Sequence, residues 1–188
     1  MSLKNINTII DEHFDLKNSI KPLSSKINAF AIKAISALKN DGKIFWCGNG
    51  GSASDSQHLA AELIGRFEKD RPPLKSISLN TDTSVITALS NDYSYDMVYQ
   101  RQLETLGDSK DLLVVISTSG KSKNIINVLK EAKRKKIYSV ALLGKDGGEA
   151  KQISDLSIVV PSFSTARIQE MHILIGHIVC SCVEKDIF

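Results

Sequence analysis

The sequence predicts an α/β doubly wound fold: a mainly parallel, five-stranded sheet flanked by helices, with N-terminal helices before it and a long C-terminal helix after it. Two observations predict it. Short apolar runs of four to six residues recur along the chain without polar alternation, which suits strands buried on both faces. Between them lie stretches whose apolar residues return at three- and four-residue spacing, the period of a helix.

Residues 1–42 read as helices. From 27 to 38, Ile27, Phe30, Ala31, Ala34, Ile35 and Leu38 fall on one helical face. Asn40-Asp41-Gly42 ends that helix, with Gly42 suited to a left-handed C-terminal position. Ile44-Phe45-Trp46-Cys47 is the first strand, and further strands are expected at 75–79, 112–117, 138–143 and 156–160. Helical stretches lie between them, clearest at 53–67 and 123–135, with another at 83–90. The last element, 165–185, is a long helix for which Ser162 or Ser164 is the candidate N-cap. No Pro/Gly/Ser linker divides the chain, so residues 1–188 are expected to form one domain, with 43–188 holding the α/β core and the C-terminal helix.

Composition narrows the function. A chain of 188 residues buries about 70% of its unfolded surface, enough for a core without staples. With 42% apolar and 24% charged residues it is neither disordered nor fibrous. Its 24 Lys and Arg against 21 Asp and Glu leave a net charge of +3, far from the concentrated basic surface of a nucleic-acid binder. Cys47, Cys180 and Cys182 are odd in number and form no CxxC pair, which argues against a disulfide framework and favours a reduced, cytoplasmic setting. The longest uncharged apolar run, 173–183, is far shorter than the ~20 residues of a membrane span. Asp11, Glu12 and Asp15 in the first 20 residues exclude a secretory signal. No nucleic acid and no membrane are therefore expected as partners.

One device occurs twice. The first strand runs into Gly48-Asn49-Gly50-Gly51-Ser52-Ala53-Ser54 and then a helix; Val114-Val115-Ile116 runs into Ser117-Thr118-Ser119-Gly120-Lys121-Ser122 and then a helix. Such loops suit an anion, because glycine admits close backbone approach while free N–H groups, hydroxyls and the helix dipole point at the charge. The bland alternative is a tight turn with a serine N-cap. Two loops at the carboxyl ends of strands should share one crevice. Nucleotide motifs fail on spacing: Ala53 stands where a dinucleotide loop needs its last glycine, and Val115 where a P-loop needs its first. Hydroxyls without a dedicated lysine point to a small phosphate ester.

Several polar clusters could carry chemistry. His58 and Glu62, four apart, share a helix face and can ligate a metal together, act as an acid/base pair, or form an ordinary surface pair. The C-terminal helix carries Gln169, Glu170, His172 and His177, and pattern does not choose between the two histidines. Gln169 and His177 are eight apart, about 12 Å along a helix, so joint ligation from one chain would stretch both and part of the site is expected to cross a subunit boundary. Asn91-Asp92 either hydrogen-bonds sugar hydroxyls or ends a helix. The run from Lys130 to Lys136 is a solvated helix end.

Taken together, Gly48-Asn49-Gly50-Gly51-Ser52-Ala53 with Gln57-His58-x-x-x-Glu62, the Ser117-Thr118-Ser119-Gly120-x-Ser122 loop and Ala166-Arg167-Ile168-Gln169-Glu170 resemble the sugar-isomerase (SIS) superfamily. Within it the chain is most similar to the phosphoheptose isomerases, over nearly its whole length. The resemblance implies an isomerase converting sedoheptulose 7-phosphate to D-glycero-D-manno-heptose 7-phosphate, the first step towards nucleotide-activated heptose for bacterial surface polysaccharide. It implies a homotetramer with active sites at subunit interfaces and one zinc per subunit, on His58, Glu62, Gln169 and His177. It places substrate contacts on Asn49, Gly50, Gly51, Asn91, Asp92, Ser117, Thr118, Ser119 and Ser122, with Ser52 nearby, as well as on Glu62 and Gln169. Glu62 and His177 take the roles of acid/base pair, the choice of His177 over His172 resting on resemblance alone. Glu62 cannot act as a free base while bound to zinc, so either the metal is structural or Glu62 changes role in turnover. The alternative is a non-catalytic tetrameric SIS protein that binds a replication initiator; such proteins tend to lack residues equivalent to Glu62 and His177, and both are present here.

Overall fold

The five apolar runs become β1 (Ile44–Gly48), β2 (Ser76–Ser78), β3 (Leu112–Ser117), β4 (Tyr138–Gly144) and β5 (Leu156–Val160). In the computed structural model, which describes residues 3–188, they form one sheet in the order β2-β1-β3-β4-β5, parallel at every pairing. Gly48 at the end of β1 is level with Ile116 of β3, and Ser117 of β3 with Leu143 of β4. The loops leaving these three strands therefore emerge side by side at the carboxyl edge.

Among the described residues eight α-helices wrap the sheet: α1 (Leu3–Ile20), α2 (Ser24–Lys39), α3 (Gly51–Ile64), α4 (Thr83–Asp92), α5 (Val98–Leu106), α6 (Lys123–Lys135), α7 (Ala150–Ile153) and α8 (Thr165–Ile187). Successive strand residues face opposite ways, and both faces are covered. Ile44, Trp46, Leu112, Val114 and Val140 pack with Phe30, Leu59, Met171 and Ile175 from α2, α3 and α8. Phe45, Cys47, Leu113, Val115 and Ala141 pack with Leu103, Ile125 and Leu129 from α5 and α6. Trp46 is fully buried, and its indole N–H donates to Ser76 Oγ at 2.9 Å. No helix among the described residues is long and apolar enough to cross a membrane.

Three details differ from the sequence reading. At the end of α2 the left-handed residue is Asp41 (φ 63°), not Gly42. Gly42 N–H donates to Ala37 O at 2.8 Å and Asp41 N–H to Leu38 O at 3.2 Å, a Schellman closure with an aspartate at its left-handed position. Gly42 is needed for space instead, because a Cβ there would run into the Lys110 carbonyl. Helices α5 and α7 gave no recognisable pattern: only Val98, Tyr99 and Leu103 are buried in α5 and only Ala150 in α7. Ser164 does occupy the N-cap position of α8, but its hydroxyl makes no capping bond.

Helices α3 and α8 run side by side in the same direction. Gln169 packs at Gly51, Leu59 sits on Gly176, and the segment after α3 closes on Glu184. There Glu184 and Arg71 are both 1% exposed and pair at 2.9 Å. The carboxylate also accepts the backbone N–H groups of Phe67, Glu68 and Lys69, while the guanidinium donates to the carbonyls of Glu62 and Leu63 that end α3. Burial alone would push the Glu184 carboxyl up, but these backbone donors and Arg71 outweigh it and hold it low. Breaking one side of a buried pair costs about 3–5 kcal/mol because the remaining charge is uncompensated. We expect Arg71→Met to lose about that much in urea unfolding, and Arg71→Met/Glu184→Leu to lose less than the sum of its single changes.

Candidate active site

Helix α3 starts directly from the loop after β1, and its fourfold spacing turns His58 and Glu62 to one face. Their contact is 2.8 Å, between Nε2 and Oε1. The parallel packing of α8 brings His177 to the same place, with Nε2 3.5 Å from His58 Nε2 and the rings edge to face at 5.0 Å between centroids. The Phe67 ring also packs on His177, at 5.4 Å between centroids. One ligand atom from each of His58, Glu62 and His177 lies within 4.8 Å of the others, the only such His/Cys/Asp/Glu group among the described residues. Burial lowers the His177 pKa and positive charge on His58 lowers it further, against the opposing pull of Glu62.

Gln169 is elsewhere. Its amide lies against Gly51 at the opposite end of α3, about 10 Å from His58 along the helix axis. One chain thus gathers three of the four expected metal ligands. His172 is also separate, and burial distinguishes the two histidines where pattern did not. It is fully buried, and its Nε2 meets the Leu143 carbonyl at 2.9 Å. A carbonyl only accepts, so Nε2 carries the proton, and Nδ1 is left buried without a partner. Burial lowers its pKa to about 4.

The two Ser/Gly loops leave adjacent strands at the same edge of the sheet. Gly50 (φ 59°) turns the chain into α3, and Ser52 is buried beneath Gly48. In the second loop Ser117 Oγ accepts the Gly120 N–H at 3.1 Å, Gly120 (φ 63°) lies against Gly147, and Thr118 and Ser119 stay half-buried at the edge. Ser122 holds the N-cap position of α6 without a capping bond from its hydroxyl. Asn91 and Asp92 lie in the exposed last turn of α4, bonded to each other at 2.8 Å.

Residues not singled out in the sequence tie the first loop to its surroundings. Asn124, in the first turn of α6, forms reciprocal amide bonds with Asn49: its Nδ2 donates at 2.9 Å and its Oδ1 accepts at 3.0 Å. Tyr99 donates to Gly48 O at 2.6 Å, and Asn80 donates to the same carbonyl at 2.9 Å. Tyr95 reaches Asn49 Oδ1 at 3.1 Å. Asp55, one turn before His58, has its carboxyl pushed up by burial and eased down by His58. No single-residue pattern marks these groups; an asparagine at the start of an expected helix was the one available signal.

Comparison with known proteins decides the family. The sequence profile of the SIS domain matches residues 12–144. This chain belongs to the SIS-domain family. Among SIS proteins, a phosphoheptose isomerase of Sulfurimonas denitrificans is 50% identical over 188 residues, covering 98% of this chain and 96% of that one. One from Helicobacter pylori strain P12 is 50% identical over 170 residues, 90% of this chain and 88% of the relative. Of solved structures, a phosphoheptose isomerase from Francisella tularensis superposes with a TM-score of 0.95 at 36% identity, covering 98% and 99% of the two chains. One from Neisseria gonorrhoeae gives 0.92 at 40%, covering 97% and 98%. The chain is accordingly an isomerase built on a SIS domain.

The buried histidine of this SIS domain makes a stability prediction. Its folded pKa, about 4, lies below the unfolded value of 6.5, so the unfolded chain binds the extra proton. Stability is complete above the unfolded value and falls as pH drops from 6.5 towards 4, by up to about 3 kcal/mol. Urea unfolding at pH 7 and pH 5 should show this slope in the wild type and a shallower one in His172→Gln.

Proposed function

We propose that this isomerase interconverts sedoheptulose 7-phosphate and D-glycero-D-manno-heptose 7-phosphate through an enediol(ate), as the first step of nucleotide-activated heptose synthesis for bacterial surface polysaccharide. The observation that carries the proposal is the meeting of His177 from α8 with His58 and Glu62 of α3, the helix that begins at the first Ser/Gly loop. The names and close similarity of the relatives support it.

In the proposed reaction Glu62 takes a proton from the hydroxyl-bearing carbon beside the ketone. His177 donates a proton to the ketone oxygen as the enediol forms. Glu62 then returns its proton to the former ketone carbon, and the neighbouring hydroxyl gives up its proton to His177 as it becomes the aldehyde oxygen. Protons and electron pairs balance without an outside reductant. The phosphate lies remote from these carbons and supplies binding energy and orientation. Ser117, Thr118, Ser119 and Ser122 are assigned to it, and Asn49, Gly50, Gly51, Ser52, Asn91, Asp92 and Gln169 to the sugar.

Two imidazoles and a carboxylate gathered within 4.8 Å are donors of the type zinc takes. His58, Glu62 and His177 would hold it with Gln169 as the fourth residue, one zinc per subunit. When bound, the metal would stabilise negative charge developing on the sugar oxygens, and Glu62 and His177 would change role from ligand to base and acid during turnover. The position of Gln169 beside Gly51 supports a site completed across a subunit boundary. We propose a homotetramer of single SIS domains spanning residues 1–188, working in the cytoplasm. Supporting it, Leu3, Ile6, Ile9, Ile10 and Phe14 of α1 are all 41% or more exposed, an apolar face that a neighbouring subunit would cover.

Proton NMR of sedoheptulose 7-phosphate in deuterated buffer tests the reaction. The wild type should form aldose 7-phosphate with deuterium at the carbon beside the carbonyl, and Glu62→Gln and His177→Gln should lose turnover at least a thousandfold. Product without deuterium would point to a hydride shift, and no product would sink the assignment. For the metal, elemental analysis should find about one zinc per wild-type chain and much less in His58→Ala; equal zinc in both would remove His58 from the ligand set.

A further inference from the structure

Nothing in the proposed chemistry uses Asn124, yet it is 2% exposed and its amide makes three hydrogen bonds. Besides the two bonds to Asn49, its Oδ1 accepts the N–H of Ile125 at 2.9 Å. Asparagine is a poor helix residue because it competes for backbone groups, but in a first turn those N–H groups have no helical partner. The position therefore tolerates it, and the bonds explain its presence. Two neutral amides facing each other satisfy a donor and an acceptor on each side. An aspartate would set acceptor against acceptor, and an apolar residue would leave Asn49 unpaired in a half-buried place.

The pair joins two elements that leave neighbouring strands. Asn49 follows Gly48 at the end of β1, and Asn124 lies seven residues beyond Ser117 at the end of β3. The strands themselves are about 4.8 Å apart, but the loops beyond them are held by no sheet bond. Asn49 is further fixed from behind by Tyr95, and Gly48 by Tyr99 and Asn80. The first loop is thus braced against α5, the turn before it and the β2–α4 loop, and Asn124 adds a side-chain link from Asn49 to α6 beside the packing of α6 on α5 and the Asn127 bond to the Asp96 carbonyl at 3.0 Å.

We infer that Asn124 is a positioning residue that sets the spacing between the two loops, and through it the placement of a ligand spanning them relative to His58, Glu62 and His177. The inference rests on the sugar-phosphate reading. A ligand reaching both loops feels that spacing, whereas one held by the second loop alone does not. This separates a positioning role from simple loop support.

The test compares sedoheptulose 7-phosphate with inorganic phosphate. Asn124→Ala should lower kcat/KM for the sugar phosphate at least tenfold while the dissociation constant for inorganic phosphate, from calorimetry, stays within twofold. Asn49→Ala breaks the same pair from the other side and should give the same split, and the double variant should be no worse than the poorer single one. An equal loss of phosphate affinity would show local loop collapse and overturn the inference. Unchanged kcat/KM, or additive losses in the double variant, would overturn it as well. If the wild type fails to turn over the sugar phosphate, the proposed function has failed instead, and this outcome is read from the wild type alone.

Discussion

One buried charge pair sets the relation between the two helices that bring His58, Glu62 and His177 together. Arg71 and Glu184 are sealed from solvent, and neither charge is tolerable alone there. The carboxylate gathers three consecutive backbone N–H groups after α3, and the guanidinium caps the carbonyls that α3 leaves open at its end. The result fixes the sliding register of α3 against α8. With Leu59 seated on Gly176 halfway along, His177 arrives opposite His58 and Phe67 closes over it. A shift of one turn, about 5.4 Å, would dissolve the cluster.

The sheet supplies the second constraint. In the order β2-β1-β3-β4-β5 the chain leaves β1 in one direction and returns to begin β3 beside it. Loops after two such strands diverge to opposite faces and leave a crevice between them, the usual place for a ligand in an open parallel sheet. Here both loops are rich in glycine and serine, and both open helices. Hydrogen bonds from Tyr95, Tyr99, Asn80 and Asn124 hold the first loop without using its outward-facing backbone. The Asn49 side chain, expected to meet substrate, spends its amide oxygen on Asn124 and Tyr95 behind the loop.

Burial separates residues that look alike in the sequence. His172 and His177 are five apart on α8, and an amphipathic pattern treats both as polar interruptions. His172 points at β4 and is kept neutral by desolvation, bonded to the Leu143 carbonyl. His177 faces α3, keeps a partly open edge and meets another imidazole and a carboxylate. Likewise Glu170, adjacent to Gln169, is turned to α1, where it pairs with His13 at 2.7 Å and with Arg167. Burial pushes its carboxyl up, but these partners prevail and hold it low.

By itself the sequence determined the parallel sheet and the two loop–helix junctions. Those depend on local rules: runs such as Leu112–Ser117 bury both faces, and Gly with Ser admits a tight turn into a helix. Spacing alone also placed His58 and Glu62 together, because four residues make one helical turn. Where Gly42 was expected to be left-handed, Asp41 is, and the glycine is required for a different reason, because a Cβ there would meet the carbonyl of Lys110 some 70 residues away. The eight-residue spacing already set Gln169 and His177 apart; tertiary structure alone decided that His177 is the one that joins His58, that His172 is a buried structural group, and that Asn124 ties the first loop to α6. Each depends on how α8 or α6 lies against an element distant in the chain, and that is set by volume, burial and paired charge, which no local pattern encodes.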